Sequence, residues 1–357
     1  IYGQPDENLF DHQNWRKCAL EALGRKNFEA LTFDYYENAD PKLIEYILRN
    51  ILPRRGIAAT KEEILVTLGA QNAIWMAAQI LLTQRRTAVV ENPCYPGLRE
   101  ILDQTRCSTV SVDVDANGLP PDHLPPNTDV VFTTPSHQCP TNATMPIERR
   151  VELLQRAKRD SFIVVEDDYE FEISFLTAPK PALKSLDKTG SVIYIGSFSK
   201  SLFPGLRLGY MVGSPAFIRE ARALRALILR HPPGHIQRTA AYFLSLGHHD
   251  SMILRIGQAY RRRRAVMEKA IVEFGLTVAS NRNSGGSSFW MQVPGGVIAS
   301  ELATKLRNAG VLVEEGRVFF APDDNNERYY RLAYSSIPSA RIREGIKRIS
   351  DAIARLK

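Results

Sequence analysis

The chain of 357 residues is poor in several features, and each shortage narrows what it can be. It has four cysteines, Cys18, Cys94, Cys107 and Cys139, with no C-x-x-C pair among them. Neither a disulfide frame nor a zinc site is expected; the pattern reads as reduced thiols of a cytoplasmic protein. No window approaches ~18 uninterrupted apolar residues, so no membrane-spanning helix is expected. A basic-then-apolar leader is also missing. Internal repeats and low-complexity stretches are absent. Charge of neither sign dominates: 46 Lys and Arg against 39 Asp and Glu leave a net +7. The one basic run, Arg261 to Arg264, lies within a helical pattern of Ile256, Tyr260, Val266, Met267 and Ile271. It is expected to be a solvated helix face rather than a nucleic-acid surface. The chain opens on Ile1, from which a fragment or a processed form is expected.

Apolar content of 44% and charged content of 24% are ordinary for a soluble globular chain. The length exceeds what one core comfortably serves, which predicts a large domain and a smaller one. Short apolar runs alternate with helical patterns. Ile64–Leu68 reads as a strand, then Gly69-Ala70-Gln71-Asn72 as the turn into a helix through Trp75 and Leu81. Ala88–Val90, Val130–Phe132, Ile163–Val165, Val192–Ile195 and Leu208–Val212 read as further strands. Helices are expected at 41–52 and 147–157, the latter with Val151, Leu153 and Leu154 on its apolar face. Such alternation implies an α/β fold, a mostly parallel sheet sandwiched by helices. Beyond residue 250 a long helix near 251–274, short strands at Ser288–Val293, Val311–Val313 and Tyr330–Tyr334, and helices at 299–308 and 339–355 predict a smaller α+β domain. The expected division is an N-terminal segment 1–30 packing near the small domain, a large domain 31–250 and a small domain 251–357.

The chemistry concentrates after two of the strands. Ser197-Phe198-Ser199-Lys200 leads to Arg207, and Glu166-Asp167-Asp168-Tyr169 closes the run that starts at Ile163. A lysine between hydroxyl residues can form an imine with an aldehyde cofactor, while hydroxyls and an arginine hold a phosphate. A strand-end carboxylate completes what pyridoxal 5'-phosphate requires. Taken singly, Ser-x-Ser-Lys could be a surface turn and the acids a helix cap. Gly69, Tyr95, His137, Asp167 and Lys200 all follow strands, and in an open parallel sheet ligands sit at those carboxyl ends.

With those residues in view, the chain resembles the fold-type I pyridoxal-phosphate-dependent aminotransferases. The resemblance is strongest to the aminotransferase-like domain of the MocR/GntR transcriptional regulators. It is carried by Thr134-Pro135-Ser136-His137-Gln138-Cys139-Pro140-Thr141, by Glu166–Tyr169, by Pro181-Ala182-Leu183-Lys184-Ser185-Leu186-Asp187 and by the Lys200 stretch, and it extends over nearly the whole length. It implies that Lys200 carries the cofactor as a Schiff base and that Asp167, 33 residues earlier, pairs with the pyridine nitrogen. Tyr169 would bond the ring hydroxyl and Tyr95 would stack on the ring. Gly69, the Ala70 and Gln71 amides, Ser197, Ser199 and Arg207 would hold the phosphate. Tyr36 would reach the phosphate of the neighbouring protomer in a homodimer. Arg331 and Ser287 would face the substrate.

Plainer readings stand beside these: a structural salt bridge for Arg207, core packing for Tyr95, a surface position for Arg331. His137 is given no chemical role, and His248-His249-Asp250 is expected in a solvated loop. Some positions depart from the enzymes' pattern. Cys139-Pro140-Thr141-Asn142 stands where they carry Asn-Pro-Thr-Gly, Ala39-Asp40-Pro41 where a glycine is usual, and Gly285-Gly286-Ser287-Ser288 where Gly-Leu-His is common. Two functions follow. One is an effector-sensing domain that captures an amino compound as an external aldimine, with DNA bound only through a winged-helix segment not in this chain. The other is a free-standing aminotransferase acting on an amino acid.

Overall fold

A computed structural model describes residues 4–32, 39–279 and 285–356. Seven strands form the central sheet: β1 (Ile64–Thr67), β2 (Thr87–Asn92), β3 (Ser108–Asp113), β4 (Val130–Thr133), β5 (Ile163–Asp167), β6 (Val192–Ser197) and β7 (Gly209–Val212). Their order is β1-β7-β6-β5-β4-β2-β3, and all neighbours are parallel except at β7, which is antiparallel to both β1 and β6. The exception has a simple cause. Only residues 198–208 join β6 to β7, too few for a crossover helix, so the chain must turn back beside the strand it has just left. That return holds Lys200 and Arg207 at the carboxyl end of the sheet. β3 was not anticipated: Ser108–Asp113 is an edge strand whose mixed polar and apolar residues give no continuous run, and only Val112 in it is buried.

Helices cover both faces. On one, Gly69–Leu81, Pro96–Thr105 and Pro215–Leu229 pack on Leu65, Val90, Phe132, Val165, Ile195 and Met211. On the other, Ile147–Asp160 meets Val89, Val131 and Val164 through Leu153 and Ala157. Val151, expected on that apolar face, is exposed.

The last third builds a second sheet, ordered β10-β11-β9-β8 and antiparallel throughout, from β8 (Thr277–Val278), β9 (Ser288–Gln292), β10 (Glu314–Glu315) and β11 (Tyr329–Ala333). The expected strand at Val311–Val313 is displaced to Glu314–Glu315, because Val311 still closes the preceding helix turn onto Leu306. Helices His248–Glu273, Ala299–Asn308 and Ser339–Ala354 back this sheet.

Two expectations about surface charge are corrected. Arg263 and Arg264 are buried, not solvated: Arg263 pairs with Asp6, and Arg264 binds Glu268 and lies 4.6 Å over the Phe289 ring. His248-His249-Asp250 begins the long helix rather than lying in a loop, with His249 buried. The N-terminal helix His12–Ala22 packs on Gly234–Ser245, and Phe10 and Trp15 enclose Phe203 and Phe243.

Candidate functional site

Three strand ends converge first. β1 runs into the helix Gly69–Leu81 through Leu68, which provides no side-chain cap, so the amides of the first turn are left to an outside acceptor. Thr67 Oγ1 donates to the Gly69 carbonyl at 3.0 Å, and Leu68 N donates to Asn72 Oδ1 at 3.1 Å, fixing the turn. Gly69 has φ +79, and a Cβ there would lie 3.1 Å from Arg207 Nη2. Glycine therefore allows the guanidinium to lie on the turn, where Nη2 also donates to the Leu68 carbonyl at 3.2 Å. Gly209 is tighter still: a Cβ would meet Gly196 O and Gly69 Cα at 2.9 Å. Ser197, buried at the end of β6, accepts from Ser199 N at 3.2 Å. A helix N-terminus, a guanidinium and hydroxyls thus share one corner, which suits a phosphate.

The three consecutive acids at the end of β5, Glu166 to Asp168, divide by alternation. Glu166 accepts from Leu183 N and Lys184 N, both at 2.8 Å, and burial with Asp168 nearby pushes it up to about 7. Asp168 takes Arg55 Nε at 2.7 Å and the Tyr194 hydroxyl at 2.9 Å on one oxygen. Asp167 points the other way, beside Glu91, Tyr95, Thr134 and Ile74. Its carboxylate has no hydrogen bond or ion pair among the described residues, and its Oδ1 is sealed from water. Burial, reinforced by Asp168, Glu91 and Glu166, pushes it up to about 7. A buried carboxylate in that state suits a cationic N–H, such as a protonated pyridine nitrogen.

Lys200 is affected most by burial, which lowers its ammonium below the ordinary lysine range; Glu170 opposes this and Arg331 adds to it. An amine made easier to deprotonate is what imine formation needs. Burial holds the Tyr169 phenol protonated, well above its usual value. Cys139 is buried against Trp290, Phe319 and Phe320, with Tyr95, Tyr169 and Tyr329 packed around, and its thiol is pushed up to about 12 by burial. Arg331, opposite Glu314 on β10, donates from Nε to Glu314 Oε2 at 2.6 Å. Ser287 is buried next to Gly286, which lies against Asn142 and Glu170.

Gly69, Ala70, Gln71, Ser197, Ser199 and Arg207 therefore gather at one end, and Asp167, Tyr95, Tyr169, Lys200 and Arg331 line the middle. Tyr36 lies outside the described residues. His137 is buried with its Nε2 3.5 Å from Ser174 Oγ. Three participants escaped the sequence reading. Glu91 accepts from Thr133, Thr134 and Gln138, and only its place at a strand end signalled it. Arg55 lies just past the helix expected over 41–52. Glu314 could be found only through the strand register. A separate groove of about 940 Å³, lined by Leu31, Ile44, Leu48, His231 and Arg238, contains none of the candidate residues that lie among the described ones.

Comparison with known proteins shows the family and the fold. The family model for aminotransferase class I and II matches residues 3–349. HTH-type transcriptional regulator TauR of Rhodobacter capsulatus is 58% identical over 353 residues, covering 99% of this chain and 73% of that protein. The probable rhizopine catabolism regulatory protein MocR of Rhizobium meliloti is 31% identical over 265 residues, 74% of this chain and 54% of that protein. Pyrococcus horikoshii kynurenine aminotransferase, solved with PMP and its substrates, superposes with a TM-score of 0.90 at 28% identity, over 99% of this chain and 89% of that one.

Proposed function

The chain belongs to the class I and II aminotransferase family, alongside its MocR-type regulators, and from that premise we propose that it binds pyridoxal 5'-phosphate at Lys200 and senses a small amino compound as the effector domain of a transcriptional regulator. The observation that carries the cofactor reading is the buried carboxylate of Asp167, whose Oδ1 has no partner among the described residues. When bound, the cofactor would supply an aldehyde for amine exchange and an electron-withdrawing ring. Asp167 would keep the ring nitrogen protonated. Tyr169 would donate to the ring hydroxyl, and Tyr95 would cover a ring face. The Gly69–Gln71 turn, Ser197, Ser199 and Arg207 would neutralise the phosphate. Lys200, whose ammonium burial makes easier to deprotonate, would hold the aldehyde and yield it to an incoming primary amine. Arg331 and Ser287 would meet the far end of that amine, and Tyr36 would complete the site across a homodimer. Residues 31–250 would form the cofactor-binding unit and 251–357 the smaller one. Regulation would act in the cytoplasm, through DNA contacts made by a winged-helix segment outside these residues.

Cys139 favours sensing over turnover. A thiol held protonated is a poor substitute for the amide that the enzymes carry at this point. The enzyme reading keeps support from the kynurenine aminotransferase superposition, since Lys200, Asp167 and Arg207 serve both. The test is to load the protein with the cofactor, reduce with borohydride and map the modified peptide. Attachment at Lys200 is expected; attachment at another lysine, or none, overturns the proposal.

A further inference from the structure

Glu314, Arg331 and Trp290 lie side by side on β10, β11 and β9, because the register sets Arg331 opposite both of the others. Cross-strand partners share a face. This face meets Cys139 and Tyr169, so it looks into the site described above. Glu314 Oε2 takes both Nε, at 2.6 Å, and Nη2 of the arginine. Each of the two side chains is only 13% exposed, and the guanidinium lies 5.0 Å over the Phe319 ring. Arg331 has no other hydrogen-bond partner among the described residues. Its Nη1 donors and the outer N–H of Nη2 are therefore available, while its charge is already cancelled.

That combination discriminates among ligands. A bare arginine in a half-dry pocket attracts any carboxylate. Here a second carboxylate at the open edge would stand one guanidinium width from Glu314, and no net positive charge would compensate for its lost hydration. A neutral acceptor such as an amide or hydroxyl would use the same N–H groups without that repulsion.

We propose that Glu314 is a specificity-determining residue, which turns Arg331 from a carboxylate-binding cation into a neutral hydrogen-bonding fork and so selects primary amines that lack a carboxylate on the α-carbon. This rests on the reading of Lys200 as the amine-exchange site. The discriminating probes are L-alanine and L-alaninamide, which differ only in that group. Each is titrated into the cofactor-loaded protein and followed by the cofactor absorbance. The wild type should favour the amide. Glu314→Gln should move the ratio of affinities toward L-alanine by about tenfold or more, and Glu314→Asp should retain the wild-type preference. A ratio unchanged in Glu314→Gln overturns the assignment. If neither amine perturbs the absorbance of the wild type, it is the Lys200 reading that fails. A second measurement then decides Glu314 on its own: acetate, at constant ionic strength against chloride, should raise the unfolding midpoint of Glu314→Gln more than that of the wild type. Equal shifts would overturn the proposal.

Discussion

Arg55 and Asp168 form an ion pair with Nε 2.7 Å from Oδ2 and neither side chain open to water. The same guanidinium donates to Ser136 Oγ and to the Lys180 carbonyl, so it ties three segments together behind the site. Asp167, the next residue back, faces the other way, and its buried Oδ1 has no hydrogen-bond partner among the described residues. The end of β5 therefore carries the acid proposed for chemistry, Asp167, directly before a structural one, Asp168. Removing one member of a buried pair strands the other, at about 3–5 kcal/mol. Arg55→Met should lower the unfolding free energy from urea titration by that amount, whereas Asp167→Asn should not lower it. Equal losses in the two variants would mean that Asp167 is structural as well.

Asp167 also sets a pH dependence in the protein without cofactor. Its folded pKa, about 7, stands above the ordinary 3.8. Between those values the unfolded chain has released its proton and the folded one still holds it. Stability contributed by this group is thus fully present below about 3.8 and lost as pH rises toward 7. Asp167→Asn should be the more stable protein at pH 8, by about 1–4 kcal/mol, with the gap closing as pH falls to 4. Cofactor binding should abolish the difference, because a protonated ring nitrogen makes the carboxylate form the favoured one. Denaturant midpoints at pH 4, 6 and 8 check it.

Much of this was legible from the chain alone, for reasons that particular residues make clear. The parallel strands announce themselves as apolar runs because both faces are covered, as Val164, Val165 and Ile193 illustrate. Lys200 and Asp167 stood out as candidates because few chemistries need those residues after such runs. β3 did not, since an edge strand with one exposed side has no apolar continuity. Arg263 and Arg264 misled for another reason: their burial depends on Asp6, Glu268 and Phe289, which lie from one helical turn to more than 250 positions away. The Glu314–Arg331 pair was equally invisible, being a product of strand register. Sequence pattern reveals faces and periods; it does not reveal which charge will meet which.

The glycine at the head of β7 yields a local test. Gly209 leaves no room for a Cβ, which would come within 2.9 Å of the backbone of Gly196 and Gly69. Gly209→Ala must push the β7 entry away from the turn that Arg207 lies on. The cofactor should then bind at least tenfold more weakly than in the wild type, while Gly205→Ala, whose nearest neighbour would be a Phe203 ring atom at 3.9 Å, should bind normally. Equilibrium titration of the cofactor reads both.

Thiol accessibility separates the cysteines. Cys107 alone is half-buried; Cys18, Cys94 and Cys139 are buried, and burial pushes Cys94 and Cys139 up to about 12. Since the thiolate is the reactive species, a disulfide reagent at pH 8 should modify one cysteine rapidly, and Cys107→Ser should remove that phase. A fast phase surviving in Cys107→Ser would mean that one of the buried thiols opens readily to solvent.

Cys139 bears most directly on sensing against turnover. It sits beside Tyr169 and the small-sheet aromatics, protonated and apolar in character, where the enzymes place an amide. The ring hydroxyl would then have Tyr169 as its main protein donor. Loss of one preorganised donor typically costs about 100-fold or more in rate. Amine exchange needs only Lys200 and a deprotonated ligand amine, so it should stay fast. Formation of a keto product from the captured amine should be slow, below the ~1 s⁻¹ at the lower end of ordinary enzymes. Cys139→Asn should raise that rate by at least tenfold without changing exchange, because the amide restores a donor and leaves the lysine untouched. Stopped-flow absorbance reports the exchange, and a coupled keto-acid assay reports the product. Rapid multiple turnover by the unaltered protein would establish the aminotransferase reading in place of the sensor.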